Sequence, residues 1–484
     1  MEKKMIRYFF IFILFTFISP VFAQNPPFLL WSELYGGDHS DGFDCVIETS
    51  DGNLLMCGYN KLTSGGWYNI YIVKTDADGV IEWEQCYPYY RHTRAIQVIE
   101  TSDGDFLLLV EVDNQDETWL MKVDSMGNEI WTQLYLGYEY PKSIVETENN
   151  EFILIGDHYD TDFYPFWILR VDSDGEIVWV QLYNRFQTGL EYPILISLIK
   201  NDNSNGYLLS GHNYNYSYYE TFLIRINNLG EIDWYYMHET NHHNYTACNI
   251  IQDESEFLLW IFGEGNNWIV AIDENGNYVN SVNIECPYDL HTCDDFKIAQ
   301  NQGYIFLGCA FFSGSNRDFV LFQTSENGEL DWQDHYDIST YEQPSSLVLS
   351  NSNDIYVVGI SDEDPPSYST DGFLSKLQID INSANNNLIS LNNSYDISNY
   401  PNPFNPTTTI SFSIPEEEIV ELSVYNIKGQ KIKSLLNNQI VEGEHSIVWN
   451  GEDDSGKKVG SGVYLYKLKV NGRIEAVKKC LLLK

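Results

Sequence analysis

The chain has 484 residues, with 70 Asp and Glu against 27 Lys and Arg and a formal net charge of −43. So acidic a chain excludes the nucleic-acid binders, whose footprint is a basic face, and docking on anionic lipid. Charged residues are 20% of the chain and aromatic residues 15%, which argues against disorder and leaves material for a sizeable core.

At the N-terminus Lys3, Lys4 and Arg7 precede an apolar run over 8–18, followed by Ser19-Pro20 and Val21-Phe22-Ala23. A basic start, a short apolar segment and a small-x-Ala end describe a secretory signal peptide over 1–23, with cleavage expected after Ala23. No other stretch approaches the roughly 20 apolar residues of a spanning helix. Eight cysteines are few for an exported chain of this length, so disulfides do not build the fold. Cys286 with Cys293, and Cys45 with Cys57, are candidate pairs that spacing alone leaves open.

From residue 24 to 380 a Trp-centred unit recurs. It reads TDADGVIEW (75–83), VDSMGNEIW (123–131), VDSDGEIVW (171–179), INNLGEIDW (226–234) and TSENGELDW (324–332), with a degenerate copy, IDENGNYVN (272–280), ending in Asn280. Counted from Trp31, the intervals are 52, 48, 48, 55, 46 and 52 residues. Each unit holds four short strand-like runs punctuated by Asp-Gly or Asn-Gly, the signature of antiparallel hairpins and propeller blades. The final unit, at 345–350, 355–359 and 373–379, stops without a fourth strand, whereas 31–36 is an orphan fourth strand. The expected fold is all-β: a seven-bladed β-propeller closed by its N-terminal strand, which removes exposed sheet edges.

An Asn/Ser-rich linker spans 381–399, and short alternating strands over 400–484 suggest a small β-sandwich. Here YPNPFNPTTTISFSIP (400–415), VYNIKGQKI (424–432), HSIVWNGEDDSGKKVGSGVYLYKL (445–468) and VKKCLLLK (477–484) resemble the C-terminal sorting domain of type IX secretion cargo, in its FlgD-like immunoglobulin flavour. Cys480 departs from an otherwise aliphatic last strand. The resemblance implies export across the inner membrane, recognition of 400–484 by the outer-membrane translocon, and in many members attachment to surface lipopolysaccharide after processing. The repeats themselves resemble secreted bacterial propellers, a likeness that carries no shared activity.

Several motifs invite chemistry. His238-Glu239-Thr240-Asn241-His242 spells H-E-x-x-H, but a zinc peptidase needs it on a helix, and here it occupies a strand and its exit loop. The turns Asp76/Asp78 and Asp172/Asp174, and the loop 361–371, suggest calcium, yet hairpin turns account for the first two without a metal. Sialidase-type propellers carry Asp-box turns at this place, but the register differs. A sialidase also needs clustered arginines, and the propeller holds only Arg91, Arg94, Arg170, Arg185, Arg225 and Arg317. Arg170 and Arg225 share a recurring strand position with Lys74, Lys122 and Lys376, which reads as structural. No catalytic, cofactor or metal residue is nominated, and calcium stays the one cofactor candidate.

The expected role is a non-catalytic, monomeric binding module for glycan or protein, working through loops and the channel mouth. Tyr-rich segments such as 213–219 are candidates for stacking on sugar rings. The alternative is a secreted glycoside hydrolase or polysaccharide lyase, which a cluster of acidic and aromatic residues at one mouth would favour. The charge divides unevenly: 396–484 holds 11 acidic and 11 basic residues, leaving 58 acidic and 13 basic in 24–395, a net of −45.

Overall fold

The computed structural model describes residues 26–482 apart from 64, 90, 113–116, 159–165, 185–187, 202–205, 216–217, 240–245, 254, 264–265, 287, 289, 300–302, 314–315, 340, 351–353, 363–369, 379–396, 401–403, 427–430 and 471–472. The signal-peptide and linker expectations therefore lie outside the described residues, the last three linker positions excepted. Among the described residues no helix is long and apolar enough to cross a membrane. The chain divides into two compact units at 385/386.

The first unit is a succession of antiparallel sheets in chain order. Sheet one holds Gly42–Glu48, Leu54–Lys61, Tyr68–Thr75 and Ile81–Tyr87. Sheet two holds Thr93–Glu100, Phe106–Val112, Glu117–Val123 and Glu129–Leu136. Sheet three holds Pro141–Glu146, Phe152–Asp157, Phe166–Val171 and Ile177–Tyr183. Sheet four holds Pro193–Lys200, Tyr207–Asn215, Tyr218–Ile226 and Ile232–Glu239. Sheet five holds Thr246–Asp253, Glu256–Gly263, Asn266–Asp273 and Tyr278–Ile284.

Eight further strands form one sheet of two halves. The sixth group is Leu290–Ala299, Gly303–Ser313, Asn316–Ser325 and Leu330–Tyr336; the seventh is Tyr341–Leu349, Asp354–Asp362, Asp371–Gln378 and the N-terminal Phe28–Tyr35. A parallel bridge between Arg317 and Tyr341 joins them. The orphan N-terminal strand thus pairs with Asp371–Gln378, with Trp31 opposite Lys376 and Tyr35 opposite Gly372. Four-stranded sheets of this kind are consistent with propeller blades.

Burial follows from this stacking. Second and third strands are covered on both faces, so they are near-continuous apolar runs such as FLLLV (106–110). Fourth strands such as EIWTQLYL lie outermost and leave alternate side chains in solvent. The apolar residues gather in seven clusters, each shared by two successive sheets. One of them, with Tyr35, Phe43, Met56, Tyr71, Tyr356 and Leu374, joins the seventh group back to sheet one. First strands neighbour one another in the same cyclic order, Tyr341–Leu349 lying beside Gly42–Glu48.

The recurring Trp and Gly have one shared job. In the turns that precede the fourth strands the glycine has φ near +80°, and at Gly79, Gly127, Gly175, Gly230 and Gly276 the Trp of the preceding fourth strand lies over it. A Cβ on Gly79 would stand 2.7 Å from Trp31, on Gly127 2.8 Å from Trp83, and on Gly276 2.6 Å from Trp234. Four residues after the Trp, a tyrosine hydroxyl donates to the same glycine's carbonyl: Tyr35 to Gly79 at 2.7 Å and Tyr135 to Gly175 at 2.7 Å. At the degenerate copy Val282 and Asn283 take the place over Gly328.

The second unit is five-stranded: Ile397–Tyr400, Thr408–Asn426, Lys431–Trp449, Gly462–Val470 and Arg473–Leu482. The first of these strands takes up the end of the segment expected as linker. Two runs expected as separate strands, 407–414 and 419–426, are one long strand whose register breaks between Ile414 and Glu418. Phe404, Phe412, Leu422, Trp449, Tyr466 and Leu482 fill its core. Cys480 is buried there, which pushes its thiol up to about 12 and leaves it an inert apolar filler. The DDSG stretch is an Asx turn, with Asp453 Oδ1 accepting the Ser455 and Lys457 N–H groups at 2.9 Å each.

Candidate functional site

Each innermost strand of the first unit breaks register in the same region, Leu290–Ala299 also once more between Leu290 and Thr292. The shifts fall between Phe43 and Cys45, Ala95 and Gln97, Pro141 and Ser143, Leu195 and Ser197, Ala247 and Ile250, Cys293 and Asp295, and Pro344 and Ser346. A bulge inserts one residue and re-aims its side chain. Asp44, Ile96, Lys142, Ile196, Asn249, Asp294 and Ser345, which lie in these shifts, all line one central space of about 500 Å³. The ring is polar on one arc, where Asp294, Ser345 and Asp44 come from successive groups, and mixed on the other, where Ile96 and Ile196 flank Lys142.

Neighbouring groups are stapled at this level. Gln97 of sheet two accepts the Ile144 N–H at 2.9 Å, Asp157 of sheet three accepts the Leu195 N–H at 2.9 Å, and Ser345 donates to Phe43 O at 2.6 Å. Asp295 accepts from Asn249 at 3.0 Å, from Lys297 at 2.7 Å and from the Leu347 N–H at 3.1 Å, tying three groups together. Its carboxylate is spent on structure.

Other carboxyls near this end are poorly solvated. Burial pushes Asp44 up to about 6, opposed by Arg94 at 3.6 Å, whose Nε donates to Glu111 at 2.7 Å. Burial pushes Asp157 up to about 6, opposed by Lys142 at 3.4 Å. Burial raises Asp294 to about 7, although the Thr292 hydroxyl donates to it at 2.6 Å. Burial likewise raises Glu342 to about 7, against hydrogen bonds from Ser339. His212 is driven down to about 4 by burial and by Lys142. A carboxyl in this range can hold a proton near neutrality and donate it.

This end of the sheets is also where exposed aromatics gather. Trp67, Tyr140, Tyr192, Tyr214, Phe311 and Phe312 are each 37–54% exposed and sit where first and third strands begin or second strands end. Within the Tyr-rich 213–219 segment, Asn213 is buried and holds the Glu191 and Tyr192 N–H groups, while 216–217 lie outside the described residues. The opposite end carries the Asp-Gly turns.

Those turns are self-contained. Asp76 Oδ1 accepts the Asp78 and Val80 N–H groups at 2.9 Å each, and Asp172 does the same for Asp174 and Glu176. Among the described residues no three His, Cys, Asp or Glu side chains are grouped to hold a metal ion; 363–369 of the calcium-candidate loop lie outside them. The recurring cations clamp the turns: Lys74 reaches Asp51 at 2.5 Å, Lys122 Asp103 at 2.6 Å, Arg170 Glu151 at 2.5 Å and Lys376 Asp354 at 3.1 Å. Arg225 stands 3.7 Å from Asp233.

His238 and Glu239 end a strand, and His238 pairs with the Tyr236 hydroxyl at 3.1 Å; Thr240, Asn241 and His242 lie outside the described residues. Arg91 pairs with Glu117, and Arg317 is buried against Cys309 and Tyr341, so these arginines are dispersed. Arg185 lies outside the described residues. Cys45 and Cys57 are direct cross-strand partners and both are free thiols; the Cys286 thiol donates to the Tyr288 carbonyl at 3.3 Å.

Residues 402–473 match the FlgD Ig-like domain family, which makes the second unit an Ig-like tail. No curated protein matches the chain. Among solved structures, a protein of unknown function from Bacteroides caccae is 18% identical, with a TM-score of 0.38, covering 57% of this chain and 95% of its own. A fungal alcohol oxidase of the AA5 family, in complex with copper, is 10% identical with a TM-score of 0.49, over 95% and 100%. The Drosophila semaphorin 1b extracellular region is 9% identical with a TM-score of 0.42, over 73% and 88%.

Proposed function

We propose that the chain is an exported glycan-binding protein whose first unit is a seven-bladed β-propeller and whose tail is a type IX sorting domain. The blade count is supported by the cyclic order of first strands and by the apolar cluster joining the seventh group to sheet one. The export reading is supported by the motifs at 1–23 and 400–484 and by the Ig-like family match. In this reading the tail addresses the protein to the outer-membrane translocon, with the cell surface as its destination. Deleting 400–484 tests this: the protein should accumulate in the periplasm, and unchanged surface export would refute it.

The observation that carries the binding reading is that exposed aromatics stand at the same end of the sheets as the bulges that line the central space. Aromatic faces with hydrogen-bonding groups around them suit sugar rings, and a net charge of −45 disfavours polyanions. The mature full chain on a glycan array should bind without turning the glycan over. Binding to proteins and to no glycan would replace the ligand class.

A hydrolase or lyase is the second reading, favoured by one observation: Asp44 and Asp294 both line the central space with raised proton affinity. Release of shorter oligosaccharides, abolished by Asp294→Asn, would establish it in place of the first.

A further inference from the structure

At this end of the sheets one exposed indole is bordered by other rings and polar groups. Trp67 stands at the end of the loop between Lys61 and Tyr68 and is 50% exposed, a large apolar area to leave in water. The loop is tied down: Asn69 Nδ2 donates to Asn60 O at 3.2 Å and to Trp67 O at 3.3 Å, and the Gly66 N–H donates to Thr63 O at 2.9 Å. The indole meets the His92 imidazole at 4.9 Å and 73°, Tyr68 lies 5.0 Å from the same imidazole, and Tyr59 lies 5.0 Å from Tyr68. Lys61 Nζ stands 5.5 Å from the Tyr68 ring centre.

Polar groups surround this surface. The Tyr68 N–H donates to His92 Nδ1 at 3.1 Å, so Nδ1 is the acceptor and the neutral ring carries its proton on Nε2, as a donor. Among the described residues Lys61 has no acidic partner within ion-pair distance, and its ammonium lies over the Tyr68 ring.

We infer that Trp67, Tyr68, His92 and Lys61 form a pyranose subsite for a neutral, β-linked glycan chain. The inference rests on the glycan reading of the mouth and deepens it. A β-linked chain with equatorial hydroxyls presents a flat face of axial C–H groups and a rim of hydroxyls. The indole meets the first, and His92 Nε2–H and the Lys61 ammonium meet the second. An acyl chain would leave those donors unpaired, and a polyanion would be repelled by the propeller's charge.

The test is calorimetric titration of the mature full chain with cellohexaose, xylohexaose and chitohexaose. At least one should bind, and Trp67→Ala should weaken it by about tenfold or more, as loss of an aromatic anchor does. His92→Ala should weaken it less, and Tyr278→Ala, exposed near the opposite end, should leave it unchanged. Trp67 lies on a surface loop, so a far-ultraviolet spectrum will show the variant folded. If Trp67→Ala binds like the wild type, the subsite is wrong and the mouth reading stands. If the wild type binds none of the three, both fall.

Discussion

Asp44, Asp157, Asp294 and Glu342 are held above the ordinary carboxylate range by burial, so the folded chain binds their protons more tightly than the unfolded chain. The stability they contribute is complete below about pH 4, the unfolded value, and is lost as pH rises through about 6 to 7. Asp51 has the opposite sign: burial opposes ionisation, but Lys74, Thr49 and the Asn53 N–H outweigh it and hold the carboxyl at about 2. Its contribution is present above about pH 4 and fades as pH falls towards 2. In urea melts Asp294→Asn should lose less stability than wild type between pH 5 and pH 8. Equal slopes would mean that Asp294 titrates normally and donates no proton near neutrality. None of these four carboxyls stands out in a chain with 70 acidic residues. What distinguishes Asp44 and Asp294 is a bulge, a mismatch of register between two strands that no single segment records.

At the scale of the element, the Trp-to-Gly contact is what the repeat encodes. Gly175 has φ +82°, and a Cβ there would stand 2.6 Å from Gln133 Cγ and 3.1 Å from the Trp131 ring. Gly175→Ala should therefore cost about 1–3 kcal/mol in denaturant melts through strain and overpacking. Tyr135→Phe, which strips the Gly175 carbonyl of its donor, should cost about 1–2 kcal/mol. Both groups act on one contact, so the double variant should fall short of the sum; strict additivity would contradict a shared lock. The repeat was legible because each of its marked residues has a local role: Gly for positive φ, Asp for the turn amides, Trp for the next turn. The N-terminal strand was legible as an unmatched copy of the fourth strand. The aromatic rim was not, because Trp67, Tyr140, Tyr192 and Phe311 come from four separated segments with no common motif. The extended strands 408–426 and 431–449 were read too short because their register breaks resemble turns.

For the whole molecule, the N-terminal strand covers the edge of Asp371–Gln378 and sets Trp31 over Gly79 of sheet one. Deleting 28–35 should expose that edge and abolish the monomer in size-exclusion chromatography, giving aggregates. Deleting 400–484 should leave the first unit monomeric and cooperatively folded, since its apolar clusters contain no residue of the tail. A monomeric, fully stable 28–35 deletion would break the ring-closure account. The charge follows the same division, with an acidic first unit and a balanced tail. The most direct test is where the proposed glycan binds. Hydrogen exchange of the mature full chain, with and without a saturating oligosaccharide from the titrations, locates it. Protection is predicted in peptides covering 59–70 and 88–95 at the mouth. Protection confined to the Asp-Gly turns around 76–79 and 124–127, or none at the mouth, would contradict it.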